Sequence, residues 1–218
     1  ATLRADSLTT ELNWDDQNNK SFNGNLRLNS VFQTTEHNKH NIKTHFSPTF
    51  FTLNDTTWNV SAGRIEISDA HTIIDSLILK TVPQNSVSNT SLSAAATKKN
   101  HQQSLIIGGT FSKTQHDSIN IKLSHVDISD ILDFVNFDDV LFDGSATGNV
   151  VLKLGENQPF LNAYLNVEGF QFNHALMGNA EINGQWMNTN DDILLNAEMT
   201  QNNEILTKVD GFISPAQK

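Results

Sequence analysis

The chain of 218 residues carries 14 Lys and Arg against 24 Asp and Glu, a formal charge of −10, and only 17% of its residues are charged. An acidic balance of that size argues against a nucleic-acid phosphate footprint and against docking on anionic lipid headgroups. Cysteine is absent, which excludes a disulfide frame, a thiolate metal site and a Cys nucleophile.

Polarity is carried by Ser, Thr and 27 Asn, residues that favour turns and the wet faces of strands over helices. No run of 18 apolar residues offers a bilayer span, and no charged-then-apolar leader opens the chain. Ala1 starts in mid-pattern and Lys218 follows closely on a strand end, so the expectation is a single elongated β-rich segment, 1–218, cut from a longer protein.

Alternation with a period of two begins at Leu8-Thr-Thr10-Glu-Leu12-Asn-Trp14 and returns at Leu26-Arg-Leu28. Residues 84–103, rich in Ser, Thr, Ala, Asn and Gln, read as a flexible loop or a weak edge strand. The clearest alternation follows, at Ile119-Asn-Ile121-Lys-Leu123, Ala146 to Leu154, Leu161 to Glu168 and Ile193 to Met199. Each run sets apolar residues on one face and Asn, Lys, Glu or Thr on the other, the mark of a half-buried strand. Polar stretches at 15–20, 113–117, 155–159 and 188–192 are the size of hairpin loops, so an antiparallel meander is expected rather than βαβ units.

One segment departs from this. Ile128, Ile131, Leu132 and Val135 recur at helical spacing, with Asp127 or Ser129 available as a cap, which predicts one short helix near residues 128–135. Two Trp-led strings, Leu12 to Leu26 and Gly184 to Met199, echo one another as reuse of one strand–turn–strand grammar.

The fold class that follows is all-β, an elongated, curled, trough-like antiparallel sheet of many short strands with that one helix. Roughly fourteen to sixteen strands at ~4.8 Å each would span about 70 Å. A flat sheet of that width with a continuous apolar face would aggregate, so it must curl, pair with a second sheet, or cover its dry face with a ligand.

Catalytic signatures are missing: no GxSxG, no P-loop, no HExxH and no Gly-rich dinucleotide turn, so no enzyme is expected. His37, His40 and His45 lie close in sequence, but no carboxylate or Cys completes a ligand set, and no metal is expected. Asp15-Asp16, Asp138-Asp139 and Asp191-Asp192 read mainly as turn formers rather than paired catalytic acids. Trp14, Trp58 and Trp186 invite a sugar-stacking platform, but each ends a strand run and reads better as a cap on an apolar face.

The ordered series of segments resembles a known family. It runs TTWNVSAGRIEISDAHTIIDSLIL (Thr56 to Leu79), SLIIGGTFSK (Ser104 to Lys113) and DSINIKLSHVDISDILDFV (Asp117 to Val135). It continues through FDGSATGNVVLKL (Phe142 to Leu154), PFLNAYLNVEGFQFNHALMGNAEINGQW (Pro159 to Trp186) and NDDILLNAEM (Asn190 to Met199). Over residues 56–214 this resembles the TamB family of translocation and assembly module proteins, in the AsmA-like group, and especially its Bacteroidetes versions. The Ser-rich stretch before Gln103 is longer than the family's usual loop.

The resemblance implies a β-taco with an aliphatic interior, periplasmic, within an inner-membrane-anchored protein that reaches toward the outer membrane. It implies a non-enzymatic role in carrying phospholipid and in outer-membrane protein assembly and secretion. The implied partners are phospholipid acyl chains and an outer-membrane barrel-assembly protein, with no cofactor, nucleotide or nucleic acid. Alternation alone nominates the groove lining: Ile119, Ile121, Leu123, Val150, Leu152, Leu154, Leu161, Leu165, Val167, Ile193, Leu195 and Met199. Two other readings stand beside this one: a β-augmentation scaffold for barrel machinery, and a surface glycan-binding or adhesin β-sandwich.

Overall fold

A computed structural model of the protein describes residues 2–3, 6–15, 22–34, 40–53, 56–82, 101–112, 117–132, 141–154, 159–187 and 192–213. The strands are β1 (Thr2–Leu3), β2 (Ser7–Asp15), β3 (Phe22–Thr34), β4 (His40–Phe46), β5 (Thr49–Leu53), β6 (Thr56–Val60), β7 (Gly63–Ser68) and β8 (His71–Thr81). They continue as β9 (Ser104–Ser112), β10 (Ile119–Asp127), β11 (Phe142–Leu154), β12 (Pro159–Phe172), β13 (Ala175–Met187), β14 (Asp192–Gln201) and β15 (Glu204–Ile213). Among the described residues one short helix occurs, α1 (Ile128–Leu132), directly after β10.

All 15 strands of the described residues belong to one sheet, and every pairing among them is antiparallel. Two of its rungs are long strands broken once. β4 and β5 pair in turn with β3, and β6 and β7 pair in turn with β8, so Ser47-Pro48 and Ser61-Ala62 interrupt strands that otherwise continue. Counted this way, each rung pairs with the rungs before and after it in sequence. The result is an uninterrupted meander, as the hairpin-sized polar stretches predict.

The sheet bends at bulges, which add one residue to one strand and turn it. Ser76 sits at a register shift in β8 with φ 50°, and His125 at another in β10 with φ 50°. The line continues through Gly144 of β11, Gly169 of β12 and Gly178 of β13, all at positive φ beside register shifts. Curling brings Trp58 of β6 into one packed cluster with Leu123 and Val126 of β10. In a flat sheet these strands would lie about 14 Å apart.

A second cluster, Ala146, Val167, Phe170 and Ala180, packs against Ile128 of α1, Phe142 and Met199. Asp127 caps α1: its Oδ1 accepts from the Ser129 amide at 3.2 Å and from the Ser129 hydroxyl at 2.8 Å. The expected helix is therefore present over Ile128–Leu132, while 133–135 lie outside the described residues. Most of the expected loop at 84–103 also lies outside them. Its last residues are tied down: Gln102 Nε2 donates to the Thr81 carbonyl, the Gln103 amide donates to Thr81 Oγ1, and Gln103 Oε1 accepts from the Asp127 amide.

The all-β, curled antiparallel architecture is the one the alternation predicts. Its accessible surface is 15209 Å², against roughly 10,000 Å² for a compact monomer of this mass. Only ten hydrophobic residues are buried among those described.

Candidate functional site

Directly opposed residues of an antiparallel ladder share a face, so register alone assigns every side chain in the sheet to one side or the other. One row can be followed through ten rungs: Thr49–Val60–Leu79–Leu105–Leu123–Gly148–Leu165–Ile182–Ala197–Val209. A neighbouring row on the same face runs Leu77–Ile107–Ile121–Val150–Ala163–Gly184–Leu195–Gly211. No Asp, Glu, Lys or Arg interrupts either row. The result is an apolar track crossing the strands, continuous over most of the sheet.

Eleven of the twelve residues nominated from the sequence fall on this face, and the side chain of the twelfth, Leu154, lies outside the description. Ile119, Ile121 and Leu123 of β10 oppose Leu152, Val150 and Gly148 of β11. Leu152 and Leu154 oppose Leu161 and Pro159, and Leu165 and Val167 continue the face along β12. Ile193, Leu195 and Met199 of β14 oppose Trp186, Gly184 and Ala180 of β13. Val167, Leu123 and Ile119 are buried, at 1%, 6% and 7% exposure, whereas Ile121, Val150, Leu152, Leu161, Leu165, Ile193, Leu195 and Met199 are half-buried.

The sequence reading missed the first half of the track. Leu28 and Phe46, Phe32 and Ile42, and Ile65 and Ile74 extend it across β3, β4, β7 and β8. Ser30 and Thr44, hydrogen-bonded to each other at 2.9 Å, interrupt the apolar pattern there and hid it. Leu12, Phe22, Phe32 and Ile67 of this part are all more than 40% exposed on the same face.

The three tryptophans share this face as well. Trp14, Gly24, Phe51, Trp58 and Thr81 are consecutive members of one row. Phe51 stacks on Trp58 with ring centroids 6.5 Å apart, and Phe22 packs on Trp14 at 6.0 Å. Gly24 leaves room for this arrangement, because a Cβ there would collide with the Trp14 ring and come within 2.7 Å of Phe51 Cβ. The indole nitrogens of Trp14, Trp58 and Trp186 are buried and have no hydrogen-bond partner among the described residues.

Charge is kept to the opposite face. The ion pairs Arg27–Glu11 at 3.0 Å, Arg64–Asp75 at 3.0 Å, Lys208–Glu198 at 2.7 Å and Lys43–Glu66 at 3.8 Å all join directly opposed residues there. Hydrogen bonds from Arg27 and then Asn25, with the nearby guanidinium charge, hold the Glu11 carboxyl below its usual range. The Asn41 amide, 2.7 Å away, does the same for Glu66, helped by Lys43. The bond to Glu198 pushes the Lys208 ammonium up. Such solvent-exposed pairs add little to stability.

No group of three His, Cys, Asp or Glu side chains placed to hold a metal occurs among the described residues. His40 and His45 of β4 fall on opposite faces by register, and His37 lies outside the described residues. What remains is a one-sided sheet whose lining offers hydrocarbon contact and three indole donors. Searches of protein-family models, of curated proteins and of solved structures return no match to this chain.

Proposed function

We propose that this protein is a non-enzymatic lipid conduit: its apolar track holds the acyl chains of phospholipid while headgroups stay in water along the open side of the curled sheet. The observation that carries this reading is the track itself, an uncharged lane ten rungs long with no second layer of sheet over it among the described residues. Each methylene moved from water onto such a surface is worth ~0.8 kcal/mol. Acyl chains therefore gain several kcal/mol from contact that needs no catalytic group and no nucleotide. The sequence resemblance to the TamB family points the same way, toward a periplasmic segment of an inner-membrane-anchored protein passing lipid between two membranes and supporting outer-membrane protein assembly.

Native mass spectrometry of the purified protein tests this reading. Co-purified phospholipid, lost when Leu165 and Leu195 are both replaced by Asp, is the expected result. A lipid-free protein that also fails to take up added phospholipid would overturn it.

A second reading has its own observation. β15 pairs only with β14, and it exposes Ile205 at 53%, Leu206 at 52%, Val209 at 40% and Phe212 at 71%. An open, apolar edge strand is the template that β-augmentation uses. A partner strand from outer-membrane barrel machinery would pair there, beside Val209 and Gly211 at the end of the track.

A further inference from the structure

Resting on the reading of the track as a lipid site, we infer that Trp14 and Trp58 form a recognition element within it, donating their indole N–H groups to the carbonyl oxygens of an ester-linked acyl lipid. Both lie on the lining face, in the row Trp14–Gly24–Phe51–Trp58, with their Cα positions about 14 Å apart at ~4.8 Å per strand. Trp58 is only 5% exposed, packed against Phe51 and the Leu123–Val126 cluster. Its one polar atom is buried without an acceptor, and so is that of Trp14.

A buried donor without a partner is costly, and buried Trp N–H groups ordinarily find one. Phe at either position would fill the row with no such penalty. The apolar neighbours Phe22, Leu53, Leu79 and Leu105 hold no acceptor, and the Thr81 hydroxyl, opposite Trp58 in the same row, is engaged by the Gln103 amide, which leaves the acceptor to a guest. Hydrocarbon cannot supply it. A ligand that meets both demands is apolar along most of its length and carries an uncharged acceptor oxygen at the inner end of its headgroup, which is the structure of an acyl ester. The neutral indole donors suit a carbonyl better than a phosphate, which would have to shed its water in a lane without a cation.

Gly24 fits the same scheme. Its missing side chain lets the Trp14 ring lie across β3 toward Phe51 and Trp58, joining the two donors into one aromatic shelf.

The three indole N–H signals of the uniformly ¹⁵N-labelled full chain provide the test, assigned with W14F and W58F. The titrants are a lysophosphatidylcholine, which has one ester carbonyl, and a chain-matched alkylphosphocholine, which has none, each below its micelle concentration. The expected result is binding of both amphiphiles, with the Trp14 or Trp58 indole proton moving downfield for the ester lipid alone. The ester lipid should also bind about three- to tenfold more tightly, the worth of one net hydrogen bond, and W14F/W58F should abolish that preference. Equal affinities with unchanged indole signals would overturn the inference and leave the conduit standing. Failure of both amphiphiles to bind would overturn both.

Discussion

At the scale of single residues, the bends rest on a few backbone conformations. Gly169 has φ +62° with open space where a Cβ would go, whereas at Gly178, with φ +96°, a Cβ would strike the Thr200 carbonyl oxygen. Gly169→Ala should therefore cost only the left-handed penalty, ~1 kcal/mol. Gly178→Ala should cost at least ~2 kcal/mol, because the β13–β14 ladder must shift as well. Urea unfolding midpoints at constant m-value measure the difference, and equal losses would contradict the role given to Gly178.

Titration adds a second residue-scale expectation. Glu11 and Glu66 have folded pKa values held below the ordinary carboxylate range. Their contribution to stability is complete above that range and is lost as pH falls through the lowered folded values. The wild-type unfolding midpoint should therefore drop between pH 6 and pH 3, and Glu66→Gln should drop less over the same interval. Lys208 works in the opposite sense, since its raised pKa gives stability that is lost only as alkaline pH passes the folded value.

At the scale of elements, the strands differ in how far their sequence announced them. β10, β11, β12 and β14 were legible because every second residue is apolar and the intervening ones are mostly Asn, Lys, Glu or Thr, so lining and wet face separate on the page. β4 and β5 were not, because the break at Ser47-Pro48 is bridged only by their common pairing with β3. Gly144, Gly169 and Gly178 mark bulges that a glycine inside a strand pattern signals. Ser76 and His125 adopt positive φ at register shifts with no such signal in their residue type. The aromatic row was equally invisible: it requires the order β2-β3-β5-β6, which alternation does not specify.

Two predictions belong to elements. Asp127→Ala removes the cap of α1 and should destabilise the protein by about 1 kcal/mol, read as a lowered urea midpoint. On β15, Phe212 is 71% exposed and contributes little to folding. Phe212→Lys with Val209→Lys should leave stability within about 0.5 kcal/mol, while reducing concentration-dependent self-association in sedimentation velocity. A large fall in stability would show that this strand is packed rather than open.

At the scale of the whole molecule, one physical asymmetry organises everything else. Pairing satisfies the backbone, the outer face carries the ion pairs, and the inner face carries an uncharged, mostly apolar lane that the described residues cover only in part. Ala146, Val167, Phe170 and Ala180 are buried together against Ile128 of α1. Elsewhere the lane stays half-open, with Leu12, Phe22, Phe32 and Ile67 at the exposed extreme. A sealed sandwich would need a second layer; on the proposed reading, a guest lipid would supply that cover.

The most direct measurement is site-specific photo-crosslinking to radiolabelled phospholipid, with a benzophenone amino acid placed along adjacent rows of the two faces. Positions Ile121, Leu165 and Leu195 of the lane, and Asn120, Tyr164 and Asn196 of the outer face, form the comparison. The account predicts lipid adducts at the first three and none at the last three, a period-two pattern repeated on β10, β12 and β14. Adducts of equal yield on both faces, or none on either, would contradict it.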